Sequence, residues 1–147
     1  MPWVKVWLHF VWSTKDRFPY LNDGIRNQVF DHIRINARKK GIHIDFINGY
    51  LEHVHCLISL GTDQTIETLM KLIKGESSFW INQNNLTKTK FKWQDEYFVA
   101  SVSESNIEKV RRYIARQEQH HSKVSFEEEF CDILLRAGFQ RFKDGVG

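Results

Sequence analysis

Two histidines separated by one residue, His53 and His55, are the first side chains in this sequence whose spacing could support chemistry. They lie in the stretch EHVHCLISL, whose residue types are typical of a β-strand. Side chains two apart on a strand point to the same face, about 7 Å apart at their Cα atoms, so these imidazoles could hold one metal ion. The alternative is a pair of exposed strand histidines with no metal, and the spacing alone does not exclude it.

A tyrosine and a glutamine, Tyr113 and Gln117, form a second pair, four residues apart in a segment with helical periodicity. Residues at this spacing share one face of a helix and lie about one turn apart. A phenol becomes a nucleophile when a nearby cation stabilises the phenolate, and an amide oxygen is a suitable ligand for a hard divalent cation. The alternative is a tyrosine that packs against the core and leaves its hydroxyl at the surface.

The composition predicts a folded chain of one domain. It has 147 residues, 41% of them hydrophobic, with eleven Phe and five Trp. The net charge of +3 permits a nucleic-acid partner without requiring one. Cys56 and Cys131 lie in apolar segments and are expected to be buried thiols in a reducing compartment. With no signal-peptide pattern and no apolar run that could span a bilayer, we expect a cytoplasmic protein without a membrane partner.

The predicted elements follow the order strand, helix, strand, strand, helix, strand, with two more helices after them. The strands are expected at residues 3–12, 43–50, 53–60 and 97–103, the last preceded by a short extended piece at 91–93. The helices are expected at residues 23–40, 65–82, 105–121 and 126–136. A βαββαβ chain of this size closes most simply as an α+β fold of the ferredoxin-like type, an antiparallel sheet with two helices on one face.

Several segments, in chain order, resemble the HUH single-tyrosine transposases of small bacterial insertion sequences. Besides the H-hydrophobic-H strand, the matching segments are HFVWSTKDR at 9–17, LIKGESS at 72–78, WQDEYFVASV at 93–102 and YIARQE at 113–118. The likeness runs from about residue 9 to residue 118, which is most of the chain. Each motif is modest alone, but their common order is specific.

The resemblance implies a single transposase domain over residues 1–147, with a catalytic core at about 3–121 and a helical extension at 122–147. It implies a DNA transposase that cleaves and rejoins single-stranded DNA at hairpin-bearing element ends through a 5′-phosphotyrosine intermediate. Tyr113 would be the nucleophile, and His53, His55 and Gln117 would hold Mg²⁺ or Mn²⁺. Members of the family are typically homodimers, and the tyrosine helix can serve the partner subunit's site. The resemblance also places the protein in bacteria, at the nucleoid when bound to DNA.

Single-stranded DNA requires cations for its backbone and flat rings for its bases. The cations expected to bind DNA are Lys15, Arg17, Lys71, Lys74, Arg112 and Arg116. The rings expected to stack on bases are Trp7, Trp12, Trp80 and Trp93.

Some ionisable residues are expected to have no role in the site. Neighbouring helical residues point about 100° apart, so His120 and His121 are expected to form only a helix end. The run Glu127 to Glu129 is expected to serve only the dipole of the last helix.

Three alternative functions remain open. The first is a domesticated relative that nicks repeated hairpins with the same residues. The second is a non-catalytic, ferredoxin-like nucleic-acid binder of the RNA-recognition type, although His53 and His55 stand where that class needs aromatic rings. The third is a replication-initiation or relaxase nuclease of the same superfamily, which commonly has a longer chain.

Overall fold

A four-stranded antiparallel sheet forms the centre of the protein. The computed structural model describes residues 2–139 of the 147-residue chain. The strands are β1 (Trp7–Thr14), β2 (His43–Gly49), β3 (His53–Ser59) and β4 (Trp93–Val102), in the order β2-β3-β1-β4. The helices are α1 (Arg26–Lys39), α2 (Ile66–Gln83), α3 (Ile107–Ala115), α4 (Gln117–His120) and α5 (Phe126–Arg136). The ferredoxin-like βαββαβ fold is therefore confirmed.

The two faces of the sheet carry different layers because alternate side chains of each strand point in opposite directions. Phe10 and Trp12 of β1 and Cys56 of β3 pack with apolar residues of α1 and α2 in the main core. On the opposite face, Val11 packs with α5, and Leu57 packs with α3. The sheet thus has α1 and α2 on one face, and the extra helices cover the other.

The tyrosine-bearing helix is shorter than the sequence predicts. It is interrupted at Arg116, whose backbone has φ −100° and ψ 19°, and this splits the predicted helix into α3 and α4. The side chain of Asn48, on β2, donates hydrogen bonds to the carbonyl oxygens of Ile114 and Ala115 at 2.9 and 3.3 Å. Asn48 therefore binds the last carbonyls of α3 in the manner of a helix cap.

Other boundaries also differ from the predicted ones. β1 begins at Trp7 rather than residue 3, because Trp3 and Val4 are exposed and have no strand partner. β4 is one continuous strand from Trp93, and its register with β1 shifts between Trp12 and Thr14. The sequence pattern indicated two extended pieces, at residues 91–93 and 97–103, and the register shift lies between them.

Two expectations about individual side chains are wrong. Trp12 and Trp93 cannot stack on bases, since both are buried in the main core with their rings edge to face at 5.9 Å. Cys56 is buried as expected, and burial raises the pKa of its thiol, but Cys131 is exposed on α5.

Within residues 2–139, the helices are all too short or too polar to cross a membrane.

Candidate metal and nucleophile site

His53 and His55 lie side by side on the sheet face that α3 and α5 cover. Both side chains are fully buried, and their rings meet edge to face with centroids 5.1 Å apart. His55 lies in the middle of the sheet, opposite Val11 of β1 and Asn48 of β2. Strands on both sides therefore hold these imidazoles rigidly in position.

Each histidine is oriented by a partner at its Nδ1 atom. Glu52 Oε1 lies 2.8 Å from His53 Nδ1, and His9 Nε2 lies 2.9 Å from His55 Nδ1. Burial lowers the pKa of His9 to about 4 and the pKa of His55 well below its usual value. Imidazoles whose Nδ1 atoms have partners present Nε2 to the site, which is the usual arrangement of histidine ligands to metals.

Tyr113 and Gln117 reach the histidines from either side of the break at Arg116. Gln117 is buried, and its Oε1 lies 2.8 Å from His53 Nε2. The ring of Tyr113 meets that of His55 edge to face, with centroids 5.4 Å apart. The structure thus brings together the four residues for which the sequence predicted chemical roles.

A residue that the sequence reasoning set aside lies at the centre of this group. Glu129 of α5 is only 4% exposed, and its Oε1 lies 3.3 Å from His55 Nε2 and 3.4 Å from His53 Nε2. Its Oε2 accepts hydrogen bonds from the Tyr113 hydroxyl and, at 3.0 Å, from Gln117 Nε2. Burial, and secondarily the charge of Glu52, raise the pKa of Glu129 to about 8. The expectation that Glu129 serves only the helix dipole is therefore wrong.

The sequence did contain a signal for Glu129. It lies three residues after Phe126 and four residues before Ile133, so it shares the apolar face with which α5 packs on the sheet. Glu127 and Glu128 lie on the exposed side of the same helix. A carboxylate in a helical apolar stripe indicates a buried acid with a specific partner.

His121 and His120 also turn towards Glu129, which corrects the expectation that they form only a helix end. His121 Nε2 lies 2.9 Å from Glu129 Oε1 and 3.1 Å from Gln117 Oε1. His120 Nε2 lies 3.5 Å from Glu129 Oε2. The angle between neighbouring helical residues does not prevent this, because a carboxylate offers two oxygens and each histidine faces a different one.

The donor set fits a metal ion. Ligand atoms of His53, His55 and Glu129 all lie within 4.8 Å of one another, and all three residues are buried. The amide oxygen of Gln117 lies 2.8 Å from His53 Nε2 and 3.1 Å from His121 Nε2. Neutral imidazole nitrogens, an amide oxygen and a carboxylate are ordinary ligands of divalent cations.

Of the six cations expected to bind DNA, two lie beside Tyr113 and one lies against α5. Arg112 and Arg116 line an open groove beside Tyr113, together with Lys109 and Lys123. Arg17 lies against α5, with its guanidinium 5.1 Å from the ring of Phe126.

The remaining three lie elsewhere. Lys15 is exposed at the end of β1. Lys71 of α2 pairs with Glu67 at 3.2 Å, and α2 packs on the other face of the sheet. Lys74 donates to the carbonyl oxygens of Gln94 and Asp95 at 2.6 and 3.1 Å, so its ammonium group already has partners.

Comparisons with known proteins agree with the motifs. A family model described as "Transposase IS200 like" matches residues 3–117. The ISDra2 transposase TnpA of Deinococcus radiodurans is 26% identical over 114 residues, which cover 74% of this chain and 81% of that protein. The crystal structure of a candidate transposase from Deinococcus radiodurans R1 has a TM-score of 0.65 and 25% identity, covering 79% of this chain and 93% of the other.

A second solved structure shares the fold. It is a REP-associated tyrosine transposase bound to a REP hairpin, with a TM-score of 0.63 and 16% identity. The match covers 84% of this chain and 73% of that one.

The metal-free protein is expected to lose stability between about pH 5 and pH 8 relative to Glu129→Gln. The pKa of Glu129 is raised from 4.5 to about 8 in the folded state. Its contribution to stability is therefore fully present below the unfolded pKa and lost as pH rises through the folded pKa. In urea unfolding with EDTA, the free energy of unfolding of the wild type should fall relative to the variant by on the order of a few kcal/mol.

The matched control for this measurement is Glu127→Gln, an exposed glutamate of the same helix, which should follow the wild type. Burial and the charge of His53 lower the pKa of His121 from 6.5 to about 4. The effect of His121 on the free energy of unfolding therefore changes only below about pH 6.5, where stability is lost as pH falls. The interval above pH 6.5 therefore reports on Glu129. Parallel curves for the wild type and Glu129→Gln across that interval would contradict the burial argument.

Proposed function

Because the chain belongs to the IS200-like family of transposases, we propose that it cleaves and rejoins single-stranded DNA with Tyr113 as the nucleophile. The observation that supports this most strongly is the placement of the Tyr113 ring 5.4 Å from that of His55, within a buried cluster of metal-ligand types.

The proposed reaction is a phosphoryl transfer to the tyrosine. The Oη atom of Tyr113 attacks a phosphorus of the DNA backbone, the bond from that phosphorus to the 3′ oxygen breaks, and the phosphate stays on Tyr113 as a 5′-phosphotyrosine. The 3′ oxygen leaves as a 3′-hydroxyl after taking a proton from solvent. Attack of a 3′-hydroxyl on the phosphotyrosine reverses these bond changes and rejoins DNA without an external energy source.

The side chains around Tyr113 support this role. Its hydroxyl donates to Glu129 Oε2, which fixes the phenol and offers an acceptor for its proton. We propose that His53, His55 and Gln117 hold a divalent cation, either Mg²⁺ or Mn²⁺. When bound, such a cation supplies positive charge for the non-bridging phosphate oxygens and for the phenolate.

We propose single-stranded DNA hairpins at element ends as the partner. Four basic side chains line the groove beside Tyr113, namely Lys109, Arg112, Arg116 and Lys123. A groove with this charge suits a phosphate backbone.

The hairpin-nicking relative remains the second candidate, since it would use the same residues on the same class of DNA. The RNA-recognition type is disfavoured by two observations. The sheet face that would need exposed aromatic rings carries His53 and His55, and it is covered by α3 and α5.

Replacement of Tyr113 by Phe is expected to abolish a covalent protein–DNA adduct, because it removes the attacking oxygen. Hairpin-forming single strands from the region around the gene would be incubated with the protein and Mn²⁺, then resolved on a denaturing gel. A 3′ label should migrate with the protein, and a 5′ label should appear on a shorter free strand. Chelation by EDTA should prevent both products.

The matched control for the adduct is Tyr20→Phe, which removes a hydroxyl that contacts Thr89 and the carbonyl oxygen of Lys90 outside the site. This variant should form the adduct as the wild type does. An adduct that persists in Tyr113→Phe would exclude Tyr113 as the nucleophile.

We propose a homodimer, as the resemblance to the family implies. We further infer that each tyrosine serves its own subunit, because Tyr113, Gln117 and both histidines already meet within one chain. Mixing Tyr113→Phe with His53→Asn should therefore yield no adduct, since neither chain has a complete site. Size-exclusion chromatography with light scattering would report the assembly. Adduct formation by the mixture would show that the tyrosine acts in the partner's site.

Removal of Arg112 or Arg116 is expected to weaken binding of single-stranded DNA and to reduce its salt dependence. Each lost phosphate contact should lower the slope of log K against log salt concentration by about 0.7. Lys71→Ala is the control, because Lys71 lies on α2, beyond the opposite face of the sheet. An unchanged slope in Arg112→Ala and Arg116→Ala would remove the groove as the DNA path.

A further inference from the structure

Two imidazoles in the site present lone pairs rather than N–H groups to its centre. His121 Nδ1 lies 2.7 Å from the carbonyl oxygen of Val124, which only accepts hydrogen bonds, so Nδ1 carries the proton. His53 Nδ1 likewise lies 2.8 Å from the Glu52 carboxylate. In a neutral ring, Nε2 is then an acceptor.

The atoms opposite these lone pairs are also acceptors. His53 Nε2 faces Gln117 Oε1 at 2.8 Å, and His121 Nε2 faces Glu129 Oε1 at 2.9 Å and Gln117 Oε1 at 3.1 Å. The amide nitrogen of Gln117 is directed to Glu129 Oε2, and so is the Tyr113 hydroxyl. A single proton on Glu129 could serve only one of these contacts, and unpaired buried acceptors are costly.

A cation at the centre would satisfy all of these acceptors together. With metal–ligand bonds of about 2.1 Å, ligand atoms at 90° to 109° lie about 3.0 to 3.4 Å apart. The separations of His53, His55 and His121 Nε2 from Glu129 Oε1 are 3.4, 3.3 and 2.9 Å. These distances to Glu129 Oε1 are those expected between ligands of one metal ion, and Glu129 is shared by two groups of ligand types, His53–His55–Glu129 and His120–His121–Glu129.

We propose that Glu129 and His121 are ligands of the same metal as His53, His55 and Gln117, and that this centre takes a transition-metal dication in preference to Mg²⁺. The inference rests on the proposed function, since it extends the metal site described there. Three imidazoles favour transition metals, whereas Mg²⁺ prefers an octahedral shell of oxygens and retains several waters. The carboxylate adds a negative charge that raises affinity for any divalent cation.

Cobalt is a suitable probe, because Co²⁺ bound to nitrogen ligands absorbs visible light. Metal-stripped full-length protein would be titrated with Co²⁺, and circular dichroism would verify folding of each variant. Loss of a side chain that only supports a ligand typically weakens metal binding about 10- to 100-fold. Since Glu129 and His121 are proposed as ligands themselves, Glu129→Gln and His121→Asn should each weaken Co²⁺ binding by at least that factor. An excess of Mg²⁺ should not displace Co²⁺ from the wild type.

The matched controls are Glu127→Gln and His43→Asn, which change exposed residues of the same types. Both should bind Co²⁺ as the wild type does. Pulsed electron paramagnetic resonance of the Cu²⁺-loaded wild type supplies a test that needs no variant. It should count three coordinated imidazoles, and a count of two would overturn the role of His121.

The outcomes separate this inference from the proposed function. If His53→Asn abolishes Co²⁺ binding while Glu129→Gln and His121→Asn leave it unchanged, the larger centre is wrong and the smaller site stands. If the folded wild type binds no Co²⁺, or if Mn²⁺-dependent adduct formation occurs without any of these ligands, both metal assignments fail. Displacement of Co²⁺ by equimolar Mg²⁺ would overturn the preference for a transition metal.

Discussion

Burial of the Glu129 carboxyl group is the constraint on which the arrangement of the site depends. A charged carboxylate in an apolar interior is costly unless cations or hydrogen-bond donors surround it. Here one carboxyl group contacts the sheet through His53 and His55, α3 through Tyr113 and α4 through Gln117. Separate elements of the chain therefore converge on one side chain, and their relative positions are tied to its environment.

The apolar contacts around Glu129 explain why it lies there. Phe126, one turn earlier on α5, stacks on His53 with ring centroids 4.1 Å apart, and Val11 and Phe98 of the sheet complete this contact. The guanidinium of Arg17 covers Phe126 from the side. Apolar packing thus places α5 on the sheet, and the position of Glu129 within the apolar face directs its carboxyl group towards the histidines.

Local pattern was sufficient to predict the sheet and the helices, because alternation in strands and the four-residue period in helices are properties of neighbouring residues. It was also sufficient to place His53 and His55 on one face. It could not show that Asn48 would bind the carbonyls of Ile114 and Ala115, since a contact across 66 residues leaves no local trace. The break in the tyrosine helix and the turn of His121 into the site both follow from such tertiary contacts.

The break at Arg116 has a consequence for the proposed reaction, in which the site holds the ligand Gln117 still while the nucleophile Tyr113 reacts. Positioning within a fraction of an ångström matters for ligands and nucleophile alike, but only the nucleophile changes its bonds. In one continuous helix, movement of Tyr113 would carry Gln117 with it. Because Arg116 separates them, Gln117 can remain at His53 Nε2 while, in the proposed reaction, Tyr113 exchanges its hydrogen bond to Glu129 for a bond to phosphorus. The interruption is thus compatible with a covalent step that leaves the ligands in place.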